Sequence, residues 1–105
     1  MMNYDHVARM VVIGFMFMTI AGCEANSRGA QLFRNGRCKE CHTINGKGGS
    51  AGPNLSVEGG KRSREYIIEQ IRNPKSHNPN SEMPSFSNLP EKDIKDLADY
   101  LSGLK

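Results

Sequence analysis

Two cysteines and a histidine fall within five consecutive positions, Cys38-Lys39-Glu40-Cys41-His42. Thiols at this spacing, followed directly by an imidazole, form C-x-x-C-H, the attachment pattern of c-type haem. In that chemistry each thiol adds to one vinyl group, making two thioether bonds, and the histidine binds iron from one face. Two other uses of these residues compete. A zinc site needs four ligands, and Cys38, Cys41, His42 and His77 supply them only if the adjacent Cys41 and His42 both coordinate. A thioredoxin-like dithiol needs a βαβ setting, and no strand pattern surrounds this pair.

A second axial ligand can be sought by counting. Five of the six methionines (Met1, Met2, Met10, Met16 and Met18) lie in the first 22 residues, which leaves Met83. His77 is the only other histidine beyond that segment besides His42. Met83 sits in the polar, proline-punctuated stretch Ser81-Glu82-Met83-Pro84-Ser85-Phe86, and Pro84 restricts it to an extended backbone. A methionine that merely fills a core gap has nothing hydrophobic to join there. His77, between Ser76 and Asn78, has the setting of a solvated loop histidine. The contest is between these two, and Met83 is the stronger candidate.

Composition says what such a site would be embedded in. Of 105 residues 39 are apolar, but 15 of these fall in residues 1–22, leaving 24 among the remaining 83. A chain this short and this polar does not easily close a self-sufficient core, and it normally needs a staple. Three cysteines make a poor disulfide framework. A large enzyme, a multi-span membrane protein and a disulfide miniprotein are excluded. A core completed by a group that is not polypeptide is the remaining solution.

The apolar N-terminus has its own reading. Met10 to Ala21 is a run of 12 apolar-rich residues preceded by Arg9. It is short for a transmembrane helix, which needs about 20 residues, and has the length of a signal-peptide core. Ile20-Ala21-Gly22-Cys23 resembles the lipobox of bacterial lipoproteins. That resemblance implies a lipoprotein signal peptide over 1–22, a mature chain beginning at lipid-modified Cys23, and a linker over 23–27. More than one acyl chain would anchor it stably. The cysteine account then closes, with Cys23 on lipid and Cys38 and Cys41 on haem.

Helices are expected to position the site. Ser27 is a plausible N-cap for a helix through Asn35, stopped at Gly36. Between Thr43 and Gly60 six glycines and few apolar residues suggest a loop wrapped around a ligand. Ser63 caps a helix carrying Ile67 and Ile71, which Asn73-Pro74 ends. Asn88-Leu89-Pro90-Glu91 has the pattern of a capping box, followed by Ile94, Leu97, Leu101 and Leu104 on one face. Phe33 and Tyr100 are expected to join the first and last helices. The predicted fold is all-α, a small set of three to four helices over residues 28–105 wrapped around one haem.

At this point the order of motifs resembles a known family. Gly29-x-x-Leu32-Phe33, Cys38-x-x-Cys41-His42, Gly52-Pro53-x-Leu55, Met83-Pro84 and Leu97-x-x-Tyr100-Leu101 together resemble monohaem class I cytochrome c, from about Arg28 to the C-terminus. The resemblance implies one covalent haem c held at Cys38 and Cys41, with His42 as proximal and Met83 as distal iron ligand. It also implies that the Pro53 carbonyl accepts a hydrogen bond from His42 Nδ1, fixing the ring. With the lipobox added, the chain resembles small lipid-anchored outer-membrane cytochromes of metal-reducing bacteria. Glu24 after Cys23 resembles outer-membrane sorting. There is no tryptophan, which many relatives place near a haem propionate, so the resemblance assigns no propionate contact.

Charge is small in sum and uneven in distribution. Residues 28–64 carry eight cations against Glu40 and Glu58, a net +6, whereas residues 65–105 carry five cations against seven acids. This excess around the attachment segment is either a solvated surface or a field that steers an acidic redox partner toward the haem edge, which salt would weaken. No aromatic residues interleave with the cations, and nucleic-acid binding is not expected.

One-electron transfer, not enzymatic catalysis, is the function these features imply. The alternatives are a haem-based sensor or peroxidase-like enzyme in which the methionine is displaced, and a membrane-attached subunit whose haem mainly stabilises the fold. The anchoring expectation has a direct check. Cys23→Ser should move the protein from the membrane to the soluble fraction or leave it misprocessed, and lipid-free secretion of the unaltered chain would contradict the lipobox.

Overall fold

The computed structural model describes residues 27–105. The expected leader over 1–22, the expected lipid attachment at Cys23 and the expected linker through Asn26 lie outside the described residues. Four helices dominate: α1 (Arg28–Asn35), α2 (Cys38–Cys41), α3 (Arg64–Arg72) and α4 (Glu91–Ser102). Two strands of two residues, β1 (Thr43–Ile44) and β2 (Lys47–Gly48), pair antiparallel between α2 and α3. Single 3₁₀ turns at Glu58–Gly60 and Pro74–Ser76 complete the chain. The all-α expectation holds apart from this hairpin.

The helix starts follow local chemistry. Ser27 accepts a hydrogen bond from the Ala30 N–H, and Ser63 accepts one from the Tyr66 N–H, each satisfying a donor the helix itself cannot pair. α3 ends at Arg72, where Asn73 and buried Pro74 turn the chain. α4 begins differently from the expected capping box. Pro90 is its N-cap, with no side-chain cap bond, and the helix starts at Glu91. Ser87 and Asn88 are spent in a turn closed by the Leu89 N–H on the Phe86 carbonyl at 3.0 Å, and Pro90 is still extended at ψ 141°, so helical backbone begins only after it and Asn88 stands outside the cap. Glu91 and Asp93 in the first turn instead place negative charge at the positive end of the helix dipole. At the other end α4 stops at Ser102, and Leu104 packs against the core from beyond the helix.

The hairpin is a structure the sequence reading missed. Two-residue strands are too short to show alternation. Their signal lies in the turn: Asn45 (φ 51°) and Gly46 (φ 80°) both take left-handed backbone, as a two-residue hairpin loop requires.

α1 and α3 both pack on α4. Ile94, Leu97, Ala98 and Leu101 of α4 are buried against Phe33 of α1 and Ile67 and Ile71 of α3. The α1–α4 crossing is close because of Gly29. A Cβ built there would lie 2.1 Å from the Asp96 carbonyl oxygen and 2.6 Å from Tyr100 Cβ. Phe33 and Tyr100 meet beside it in a tilted pair, ring centroids 6.3 Å apart. At the rim Arg28 bonds Asp93 at 2.9 Å and Arg64 bonds Asp99 at 2.5 Å. Those carboxylates raise both guanidinium pKa values, but exposed pairs contribute little stability. Backbone contact at Gly29 leaves no room to relax. Gly29→Val should therefore cost about 1–3 kcal/mol or more by overpacking, measured as a lower denaturation midpoint with an unchanged slope.

Candidate functional site

The Cys38–His42 segment is held mainly by backbone hydrogen bonds. Within it the His42 N–H bonds the Cys38 carbonyl at 3.0 Å, closing one helical turn. The glycine-rich loop that follows folds back onto that turn. Gly49 and Gly52 donate their N–H groups to the carbonyls of Lys39 and Cys41 at 2.8 and 2.7 Å, and Leu55 donates to Thr43 at 2.8 Å. Thr43 Oγ1 adds a bond to the Gly49 carbonyl at 2.7 Å. The glycines allow these close approaches, so the loop between Thr43 and Gly60 is a wrapped segment.

The result orients His42. Its Nδ1 lies 2.8 Å from the Pro53 carbonyl oxygen. A carbonyl only accepts, so Nδ1 carries the proton and Nε2 keeps its lone pair. Gly52 forms part of the wall behind the ring, where a Cβ would stand 2.6 Å from Cε1.

Cys38, Cys41, His42 and Met83 all line one cavity of about 650 Å³. Its other walls are largely apolar, with Phe33, Ile67, Ile71, Leu97, Leu101 and Phe86 among them. The two cysteines are free thiols. Burial pushes the Cys38 thiol above its ordinary pKa, partly offset by a backbone hydrogen bond. A pair of thiols, an imidazole with a free Nε2 and a thioether on one apolar cavity suit a large flat group bound covalently. The competing uses lack their settings. Among the described residues no group of three or more His, Cys, Asp or Glu could hold a metal ion by itself, and the only sheet is the short hairpin.

Met83 is brought to the cavity by a loop pinned to the end of α3. Phe86 donates its N–H to the Ile71 carbonyl at 2.9 Å, and Ser85 Oγ donates to the Arg72 carbonyl at 2.5 Å. Short polar side chains shape the loop itself. Asn78 Oδ1 accepts from the Asn80 N–H at 3.0 Å, and Ser81 Oγ accepts from the Met83 N–H at 3.3 Å.

His77 is not the free loop side chain the sequence suggested. It is exposed, but its ring stacks on Tyr66 with centroids 3.7 Å apart and planes within 2°. Its Nδ1 lies 2.7 Å from Gln70 Oε1. Gln70 in turn places Nε2 3.5 Å from Met83 Sδ. Sequence reasoning passed over Tyr66 and Gln70. Their signal was the i, i+4 spacing along the edge of the Ile67–Ile71 stripe, which puts both on the cavity side of α3.

Comparison with known proteins places the chain in a family. The family described as cytochrome c matches residues 27–105. The chain is 30% identical over 87 residues to a cytochrome c oxidase subunit 2 of Alkalihalophilus pseudofirmus, covering 75% of this chain and 25% of that one. It is also 33% identical over 97 residues to a cytochrome c of Theileria parva, covering 72% of this chain and 83% of that one. The chain therefore spans about a quarter of the length of the first relative and most of the second. It belongs to the cytochrome c family and has the small helical class I fold. Its cofactor is a covalently bound c-type haem with its iron.

The packing behind His42 yields a prediction. Gly52→Ala should retain covalent haem, since neither cysteine is touched, yet push the His42 ring off its Pro53 bond. The expected outcome is a changed ferric absorption spectrum with normal haem stain on a denaturing gel.

Proposed function

We propose that this chain is a membrane-tethered one-electron carrier in which His42 and Met83 bind the haem iron and leave no position for substrate. The observation that carries the reading is the cavity: among the described residues its only methionine and its lone-pair-bearing His42 line the same space as the two attachment cysteines. Haem supplies one-electron exchange between ferric and ferrous iron. Cys38 and Cys41 hold it covalently, so the carrier cannot lose its cofactor between partners. The Pro53 carbonyl holds the His42 ring in one tautomer and one orientation. The soft thioether of Met83 favours the reduced ion and so raises the potential over that of a histidine in its place.

The cationic excess of residues 28–64 supports docking of an acidic partner. At the cavity itself Arg37 and Arg62 are matched by Glu40, Glu58 and Glu82, so the excess belongs to the wider segment and not to the lining. Long-range attraction of this kind speeds encounter and is screened by salt. The lipobox-like Ile20-Ala21-Gly22-Cys23 supports export and anchoring through Cys23, and Glu24 favours the outer membrane over the inner.

Met83→Ala tests the central assignment. The variant should keep covalent haem, lose the far-red sulfur-to-iron charge-transfer absorption of the oxidised form, bind carbon monoxide rapidly when reduced, and show a lower potential. An unchanged spectrum and potential would remove Met83 from the iron. Rapid carbon monoxide binding by the unaltered protein would favour the sensor or enzyme reading.

A further inference from the structure

Arg62 just before α3, Tyr66 and Gln70 on it and His77 in the loop after it form an unbroken series that ends at the sulfur of Met83. Arg62 places its guanidinium carbon 4.6 Å from the centroid of the Tyr66 ring. Tyr66 stacks with His77, His77 bonds Gln70, and Gln70 bonds Met83. The chemistry of the last member orders the others. A thioether has no proton and can only accept, so the group facing it must be the amide nitrogen of Gln70 and not its oxygen. The amide oxygen is then turned toward His77, which requires the proton on Nδ1. A glutamine has three rotatable side-chain bonds and, unaided, little preference for one amide orientation. His77 supplies that preference, and the stack on Tyr66 supplies the position of His77.

We propose that His77 is a positioning residue that acts through Gln70, holding the amide so that its N–H, and not its oxygen, faces the sulfur of Met83. The proposal rests on Met83 being an iron ligand. A sulfur that shares one lone pair with an N–H donates less through the other. Weaker donation disfavours ferric iron more than ferrous, so the series holds the potential up. Releasing the amide lets its oxygen turn to the sulfur, two acceptors face one another, and the potential falls.

Isosteric variants of the haem-loaded protein separate this role from simple packing. His77→Phe keeps a ring to stack on Tyr66 but has no donor. His77→Asn loses the ring, but its amide nitrogen can occupy nearly the place of Nδ1. Gln70→Leu removes the link. Redox titration and the far-red charge-transfer band are the readouts, with helicity by circular dichroism as the control for folding. His77→Phe and Gln70→Leu should each shift the redox equilibrium roughly two- to tenfold toward the oxidised form, the scale of one hydrogen bond, and move the band. The double variant should shift it no further than Gln70→Leu alone, since both act through one bond. His77→Asn, which keeps a donor but loses the stack that places it, should fall between His77→Phe and the wild type. His77→Phe at wild-type potential, or additive shifts in the double variant, would overturn the proposal. If Met83→Ala retains the band, the ligand assignment itself fails. If Met83→Ala loses it while His77→Phe is silent, only the role of His77 fails.

Discussion

A cavity of about 650 Å³ has to be kept open by a domain of fewer than 80 described residues, and the rest of the structure follows from that requirement. Left to itself, apolar surface around such a space would collapse or be wetted. The chain answers with three helices whose buried faces meet on α4. No charged or polar residue is buried among those described. Ile67, Ile71, Leu97 and Leu101 therefore serve twice, as the contacts between helices and as the wall of the cavity. Haem bound there would supply the apolar contacts that the polypeptide is too short to make for itself.

The two sides of the site are built by different means. On the cysteine side the backbone does most of the positioning. Gly49 and Gly52 bond directly to the carbonyls of the attachment turn, and Pro53 meets the imidazole. Each of these approaches needs a residue without a side chain or a carbonyl at a set distance, so this half is stiff. On the methionine side the positioning comes through side chains. Ser85 and the Phe86 backbone tie the loop to α3, while Gln70 and His77 sit between that helix and the sulfur. Side-chain contacts can be retuned by single substitutions without disturbing the fold. The attachment half thus sets the identity of the cofactor, and under the proposed ligation the methionine half is where its properties would be adjusted.

Surface charge adds a third layer with little bearing on stability. The ion pairs from Arg28 and Arg64 to α4 are exposed, and their energetic contribution is small. The excess of cations over residues 28–64 acts at longer range, which is why it enters the proposed docking of an acidic partner and not the fold.

Much of this was legible in the sequence, for local reasons. C-x-x-C-H is a contiguous pattern whose chemistry depends on neighbours along the chain, so the cofactor could be read without a fold. The caps at Ser27 and Ser63, the stop at Asn73-Pro74 and the buried stripe of α4 are likewise local. The start of α4 was misplaced because Ser87 and Asn88 form a turn and Pro90 stays extended, and a cap-like pattern alone does not show that a turn will take those residues. The hairpin was missed because its only signal is a two-residue turn. Only the tertiary structure decided the surroundings of Met83. Gln70, His77 and Tyr66 come together because the loop folds back across α3, bringing the sulfur beside a residue 13 positions earlier. Contacts made by chain return leave no periodicity and no motif. Composition could call for a cofactor and spacing could name it, but the groups that surround the sulfur of Met83 emerge only when the chain is folded.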